Sequence, residues 1–139
     1  MVAMYEKTGT INKKTHDRLK SIAKAATWKV VKGSGRDYET SFCDVKDLFE
    51  WDNVQSFFFL KIPPGGKVHR HIDTCRPWST YHVVVQTNPK AISYFCDDDG
   101  EYQFKGALKG IYKIDRQVEH WSVNDGKSDR IHLLCEVYD

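Results

Sequence analysis

From residue 56 onward the sequence consists of short runs of β-branched and aromatic residues separated by turn-forming residues, and this pattern constrains the fold most strongly. Such runs predict β-strands, because these side chains favour strands while Gly, Pro, Asn and Asp favour turns. The predicted strands cover residues 57–62, 67–72, 81–86, 91–95, 102–104, 110–114, 120–123 and 130–138. Antiparallel strands in such close succession are typical of a jelly roll, or double-stranded β-helix, whose walls enclose a pocket.

The beginning of the chain carries helical signals. Residues 15–26 place Leu19, Ile22 and Ala23 on one stripe, with Lys and Arg opposite, which predicts an amphipathic helix packed outside the sheet. Residues 41–51 favour a second, short helix. The predicted fold class is therefore mainly β, a jelly roll with one or two N-terminal helices packed outside.

Length and composition limit the organisation and the partners. A chain of 139 residues is expected to form a single domain, with a helical portion over residues 1–55 and the jelly-roll body over residues 56–139. A net charge of only +2 gives no reason to expect nucleic acid as a partner. Neither a membrane-spanning run nor the apolar core of a secretory signal is present in the sequence, so we expect a cytoplasmic protein without a membrane partner.

The residues that indicate chemistry lie on three of the predicted strands. His69, His71 and Asp73 alternate along the chain, so their side chains can share one face of a strand. His120 begins a later predicted strand, and Arg130 begins the last one. A His-x-Asp pair completed by a distant His is the pattern of a facial triad, which typically holds non-haem Fe(II) and leaves coordination positions open. The planar guanidinium of Arg130 can donate two parallel hydrogen bonds to a carboxylate. The sequence therefore predicts a site for a metal ion plus an anion.

Two alternatives remain from the residues alone. Residues 66–71 and 120–124 are also similar to the two cupin motifs, and in a plain metal-binding cupin His69 would be a ligand while Asp73 need not be. Six histidines in one chain also produce close spacings by chance, so a non-catalytic, sugar- or peptide-binding jelly roll is the other alternative. Arg130 favours an oxygenase, since a cupin lyase or isomerase has no need of an arginine near its metal.

Residues 58–138 resemble the aspartyl/asparaginyl β-hydroxylase branch of the 2-oxoglutarate- and Fe(II)-dependent oxygenases. This family has a Pro-Gly-Gly type turn before His-x-Asp and a further His near Thr-Asn-Pro. A Glu-His-x-x-x-Asn segment follows, and then an Arg that opens the last strand. The corresponding positions here are residues 62–66, His71 and Asp73, His82 with residues 87–89, residues 119–124, and Arg130.

The resemblance implies an iron centre and an activity. His71, Asp73 and His120 would be the catalytic residues that ligate Fe(II), and Arg130 would pair with the distal carboxylate of the cosubstrate 2-oxoglutarate. The implied enzyme is a dioxygenase that hydroxylates an unactivated C–H of an amino-acid or peptide side chain of the Asp or Asn type. Its partner would be a small-molecule or peptide substrate, and no sequence feature indicates an oligomeric state.

The resemblance also implies a second contact to the cosubstrate. His82 matches a family position beside the other carboxylate of 2-oxoglutarate. The family often has an Arg two residues before this His, whereas the present chain has Thr80 there. We therefore expect either Thr80 or Arg76 to take part in cosubstrate binding.

Overall fold

The computed structural model describes residues 4–73, 78–115 and 117–138. In this part of the chain β-strands dominate, which confirms the predicted fold class. The elements in chain order are β1 (Tyr5–Thr10), α1 (Lys13–Ala25), β2 (Lys29–Gly33), β3 (Arg36–Phe42), a 3-10 turn (Lys46–Leu48), β4 (Val54–Ile62), β5 (Lys67–His71), β6 (Trp78–Gln86), β7 (Ala91–Asp97), β8 (Gly100–Phe104), β9 (Gly110–Ile114), β10 (Glu119–Asn124) and β11 (Arg130–Tyr138).

All eight strands predicted after residue 56 are present, as β4 to β11. They belong to one antiparallel sheet with the order β1-β9-β6-β11-β4-β3-β5-β10-β7-β8, and β2 pairs with β3 at the side. The last strand, β11, lies between β4 and β6 and pairs with both along most of its length. The long excursions between paired strands give the jelly-roll topology that the sequence pattern indicates.

The sheet is nearly closed into a barrel, and side chains bridge its two outer strands, β1 and β8. The hydroxyl of Tyr5 donates to the carbonyl oxygen of Gln103 at 3.3 Å. The ring of Tyr5 lies 4.6 Å from that of Phe104 and 5.8 Å from that of Phe95, measured between centroids. Aromatic packing therefore covers sheet edges that backbone pairing leaves open.

The N-terminal portion differs from the prediction. Residues 1–55 were expected to be helical, yet they contain β1, β2 and β3 as well as α1. These strands are rich in polar and charged residues, as the sequence YEKTGT of β1 illustrates, so they lack the apolar alternation of a strand buried on one face. Their hydrogen-bonded neighbours in the sheet determine their conformation. The second predicted helix is reduced to the 3-10 turn, Lys46–Leu48.

The first predicted helix is confirmed, as α1 packed outside the sheet. The side chain of Asn12 caps its start by accepting a hydrogen bond from the backbone N–H of Thr15 at 2.8 Å. Leu19 is fully buried, and the buried His16 donates from Nε2 to the carbonyl oxygen of Val85 in β6 at 2.8 Å. None of the helices in the described ranges has the length and hydrophobicity that crossing a bilayer would require.

Alternation along the central strands separates the core from the interior of the barrel. One face of β4, β6 and β11 carries Phe57, Phe59, Val83 and Leu133, which form the main core together with residues of α1. The other face of the same strands carries side chains that line a cavity. Because strand side chains alternate with period two, the core beneath α1 directs the intervening residues inward.

Candidate active site

His71, Asp73 and His120 come together at one end of the cavity. The antiparallel register of β5 and β10 pairs His71 with His120, so their rings lie side by side with centroids 4.3 Å apart. Asp73 follows just beyond the end of β5. One of its oxygens lies 3.5 Å from Nε2 of His71, and the other lies 3.3 Å from Nε2 of His120. One ligand atom from each of the three side chains falls within 4.8 Å of the others.

Both imidazoles turn Nε2 to the centre of this triad. Nδ1 of His71 lies 2.6 Å from the carbonyl oxygen of His69, and Nδ1 of His120 lies 2.7 Å from that of Val118. A carbonyl oxygen can only accept, so both Nδ1 atoms carry the proton and both Nε2 atoms are available as ligands. Ligand atoms at right angles on an ion with bonds of about 2.1 Å would be about 3 Å apart, so the observed separations suit a metal ion.

His69, the additional ligand of the cupin alternative, lies outside this triad. Its ring stacks on that of His71 with centroids 4.6 Å apart. Its Nδ1 is buried and has no hydrogen-bond partner among the residues the structure describes. Burial, followed by the neighbouring His71, lowers the pKa of His69, so its neutral form is favoured. Among the described residues, the cluster of possible metal ligands contains His71, Asp73 and His120 but not His69, so the geometry favours a triad that includes Asp73 over a cupin-type set that includes His69.

The cavity has a volume of about 280 Å³ and mostly apolar walls. Each strand from β3 to β11 contributes at least one lining side chain. The apolar and aromatic lining consists of Tyr38, Phe58, Leu60, Val68, Phe95, Phe104, Ile114, Trp121 and Leu134. Such walls limit the access of water and strengthen electrostatic interactions inside.

Arg130 is the buried cation of this cavity, with only 3% of its surface exposed. Its Nη1 donates to Oγ of Ser93 at 3.1 Å, and Nη2 donates to Nδ1 of His132 at 2.9 Å. Burial lowers the pKa of Arg130 to about 10, so it remains charged at neutral pH. No carboxylate in the described ranges forms an ion pair with it, and its Nε has no hydrogen-bond partner there. A buried guanidinium with N–H donors that are not used by protein acceptors is suited to binding an anion.

Asn124, the last residue of the Glu-His-x-x-x-Asn segment, has a structural role as the centre of a group of buried hydrogen bonds. It is fully buried, and its Nδ2 donates to the carbonyl oxygens of Ile62 at 2.7 Å and Ser128 at 2.9 Å. Its Oδ1 accepts from the backbone N–H of Gly126 at 3.0 Å. These bonds tie the turn that leads into Arg130 to the end of β4, and so determine where the guanidinium enters the cavity.

The Pro-Gly-Gly turn is held against the same segment. The backbone N–H of Gly65 donates to the carbonyl oxygen of Asn124 at 2.7 Å, and the N–H of Asn124 donates to that of Gly66 at 3.0 Å. A Cβ at Gly66 would lie 2.6 Å from the carbonyl oxygen of Asp37. Only glycine allows this approach, which positions β5 and therefore His71.

His82 and Thr80, the other predicted cosubstrate contacts, both line the cavity. Burial, with Arg130 as the next contribution, lowers the pKa of His82 to about 3, so its imidazole is neutral. Thr80 is buried opposite Glu136 in the pairing of β6 with β11. Its hydroxyl has no hydrogen-bond partner in the part of the chain that the structure describes. Arg76, the alternative to Thr80, lies outside the described residues.

Three further residues of the site were not among the predicted site residues. Ser93 and Ser122 lie opposite each other in the pairing of β7 with β10, with their hydroxyl oxygens 2.7 Å apart beside Arg130. His132 lies two residues after Arg130 on the same face of β11. Alternation along the last strand was the signal that could have identified His132. The two serines could be associated with Arg130 only through the strand register.

The fold and the site together define a jelly-roll protein with a facial two-histidine, one-aspartate cluster and a buried arginine in the same cavity. The sequence matches the family model for aspartyl/asparaginyl beta-hydroxylase over residues 2–139, and the chain belongs to this family. It is accordingly an enzyme of the 2-oxoglutarate-dependent oxygenase class. No curated protein matches the sequence.

Solved structures show the same fold at low sequence identity. A 2OG-Fe(II) oxygenase family oxidoreductase from Burkholderia pseudomallei superposes with a TM-score of 0.76 at 7% identity, over 96% of this chain and 84% of that chain. A prolyl-4-hydroxylase from Pseudomonas putida gives 0.72 at 13% identity, over 97% and 92%. A cupin-2 domain from Rhodospirillum rubrum gives 0.57 at 8% identity, over 82% and 70%. These likenesses support the jelly-roll fold.

Proposed function

We propose that this oxygenase holds Fe(II) through His71, Asp73 and His120 and binds the distal carboxylate of 2-oxoglutarate at Arg130. We further propose that it hydroxylates an unactivated C–H in an amino-acid or peptide side chain of the Asp or Asn type. The observation that carries the proposal is the convergence of three ligand atoms within 4.8 Å. The two imidazoles in that cluster already have the tautomer that a metal requires.

The triad suits Fe(II) because of its composition and its open side. Two neutral imidazoles and one carboxylate on one face are the donor set of non-haem iron oxygenases, and they leave positions for other ligands. Fe(II) and 2-oxoglutarate, when bound, supply the oxidising chemistry that inserts an oxygen atom into a C–H bond. The contacts of His71 with the carbonyl of His69 and of His120 with that of Val118 keep both rings oriented for this purpose.

Arg130 supplies the electrostatic complement to the cosubstrate. Its charge is retained despite burial, and the Ser93 and His132 contacts hold the guanidinium in one orientation. The remaining N–H donors, Nε among them, are available for a carboxylate in a two-pronged arrangement. The apolar walls provide a low-dielectric setting in which this pairing is strong.

The substrate class is supported by the family and by the size of the cavity. The family is described as aspartyl/asparaginyl beta-hydroxylase, which favours a side chain of the Asp or Asn type. A volume of about 280 Å³ is small for a cavity that must also hold the cosubstrate. We therefore propose that a single side chain, or a small molecule of similar size, enters to react.

The proposal is tested by optical spectroscopy without oxygen. Addition of Fe(II) and then 2-oxoglutarate to the wild-type protein is expected to produce the visible charge-transfer band of a chelated 2-oxo acid. His71→Ala should eliminate the band. The matched control His69→Ala removes a neighbouring imidazole that is not in the triad, and should retain it. A wild-type protein that binds the metal but shows no band would contradict the proposal and favour a plain cupin.

The substrate is tested by mass spectrometry. Peptides that contain Asp or Asn, and free amino acids, are incubated with the protein, Fe(II), 2-oxoglutarate and oxygen. The expected result is a product heavier by one oxygen atom, formed together with an equal amount of succinate. Succinate formation that responds to other small molecules but not to these compounds would retain the oxygenase and reject the Asp or Asn side chain.

A further inference from the structure

His132 lies at the centre of a buried network that joins the two predicted cosubstrate contacts. Its side chain is 1% exposed. Its Nδ1 lies 2.9 Å from Nη2 of Arg130 and 3.0 Å from Nδ1 of His82. The rings of His82 and His132 meet edge to face, with centroids 5.3 Å apart. One nitrogen atom is therefore shared by a guanidinium and a second imidazole.

The proton positions in this network follow from the chemistry of the three groups. A guanidinium can only donate, so Nδ1 of His132 must carry the lone pair. His82 can approach this lone pair at 3.0 Å only by donating, so its own Nδ1 must carry a proton. Burial, followed by the charge of Arg130, lowers the pKa values of both imidazoles, so both are neutral. His82 is therefore held as the Nδ1–H tautomer.

The other ring nitrogen of His132, Nε2, makes this arrangement unfavourable for the stability of the fold. With Nδ1 unprotonated, its Nε2 carries the proton, and this atom is buried without a hydrogen-bond partner among the described residues. An unpaired buried N–H destabilises a fold. Leucine, valine or isoleucine would avoid this penalty at an interior strand position, so a purely structural role does not account for a histidine here.

We propose that His132 is a positioning residue, whose Nδ1 directs the guanidinium of Arg130 and holds His82 in its Nδ1–H tautomer. The inference rests on the proposed function for the part that concerns 2-oxoglutarate, because Arg130 is the residue through which His132 acts on the cosubstrate. The other contact of Arg130, with Ser93, holds only Nη1, and by itself it would allow the guanidinium to rotate about that hydrogen bond. The contact of Nη2 with Nδ1 of His132 prevents this rotation.

Three variants separate positioning from packing. His132→Leu removes the hydrogen-bond acceptor and fills the position with an apolar side chain of comparable size. His132→Asn keeps an acceptor close to the position of Nδ1. Leu133→Val is the matched control, because Leu133 is equally buried on the same strand but faces the core beneath α1. If a core substitution weakened 2-oxoglutarate binding only by destabilising the fold, Leu133→Val should weaken it as well.

The first readout is cosubstrate binding by calorimetry, with Mn(II) in place of Fe(II) so that no turnover occurs. We expect His132→Leu to weaken 2-oxoglutarate binding by about 10-fold, with Mn(II) affinity unchanged. His132→Asn should restore most of the affinity, and Leu133→Val should bind as the wild type does. Equal affinity in wild type and His132→Leu would overturn the inference, as would a loss in His132→Asn as large as that in His132→Leu.

The second readout needs neither metal nor cosubstrate. Long-range ¹⁵N–¹H correlation spectra of the full chain report which nitrogen of each histidine carries the proton. The wild type should show His82 as the Nδ1–H tautomer, and His132→Leu should remove this preference. A wild type with His82 protonated on Nε2 instead would overturn the inference. If the wild type binds Mn(II) but not 2-oxoglutarate, the proposed function fails, and the tautomer measurement still decides the role of His132.

Discussion

Replacement of Arg130 by alanine is the perturbation that tests the site most directly. The guanidinium is 3% exposed and has no carboxylate partner in the described part of the chain, so its charge is available to a bound anion. In Arg130→Ala the distal carboxylate of 2-oxoglutarate would lie in a largely apolar cavity without a compensating cation. The apparent requirement for 2-oxoglutarate should therefore rise strongly.

The magnitude follows from the number of bonds lost. A bidentate carboxylate contact consists of two charge-assisted hydrogen bonds, and their loss costs about 3 kcal/mol, or about 100-fold in affinity. The same substitution removes one donor from the Ser93 hydroxyl and one from Nδ1 of His132, although Ser122 and His82 remain as their partners. Loss of these two bonds should lower the free energy of unfolding by about 1–3 kcal/mol. The effect on cosubstrate binding should thus be at least as large as the effect on folding.

The assay is succinate formation as a function of 2-oxoglutarate concentration, combined with urea unfolding of the same preparations. Arg130→Lys keeps the charge but not the planar fork, and should give an intermediate KM. Arg70→Ala is the control, because Arg70 pairs with Glu119 and stacks on Trp121 but does not line the cavity. An unchanged KM in Arg130→Ala would refute the reasoning and place the cosubstrate elsewhere.

Three other predictions follow from the site. His71→Ala and His120→Ala should each abolish metal-dependent turnover and weaken Mn(II) binding in calorimetry, and full activity in either variant would reject the triad. Asn124→Ala, which loses several buried hydrogen bonds, should lower the free energy of unfolding by about 2–4 kcal/mol in urea titrations, and an unchanged midpoint would contradict its structural role. The pKa of His82 is depressed from 6.5 to about 3, and that of His132 is also well below 6.5, so the unfolded chain binds more protons in acid. Stability should fall as the pH drops below about 6.5, by up to about 1.4 kcal/mol per pH unit for each of the two residues, and a slope that persists unreduced in His132→Leu would contradict this assignment.

The strands of the barrel were predictable because their signals are local. Alternating β-branched and aromatic residues between turn formers predicted β4 to β11, and the bounds of β9 and β11 agree with the prediction. The charged β1 and the polar β2 and β3 have no such alternation, and their conformation depends on neighbours that are distant in sequence. Sequence spacing alone therefore assigned too much helix to the first 55 residues.

The candidate site likewise combines residues that were predictable from local sequence with contacts that depend on the tertiary structure. His71 and Asp73 lie two residues apart, so their shared face was evident from the period of a strand, and Arg130 was evident as the first residue of the last strand. The contact of Arg130 with Ser93 exists only because β7 and β11 meet across the barrel interior. Likewise, the contact between His82 and His132 joins residues 50 positions apart.

The sequence by itself determined the strand pattern and the residue types that a metal and an anion require, because both are properties of short contiguous segments. Only the tertiary structure decided which nitrogen atoms carry protons and which side chains hold Arg130 in place. Those features depend on strand register and burial, which arise when distant parts of the chain pack together.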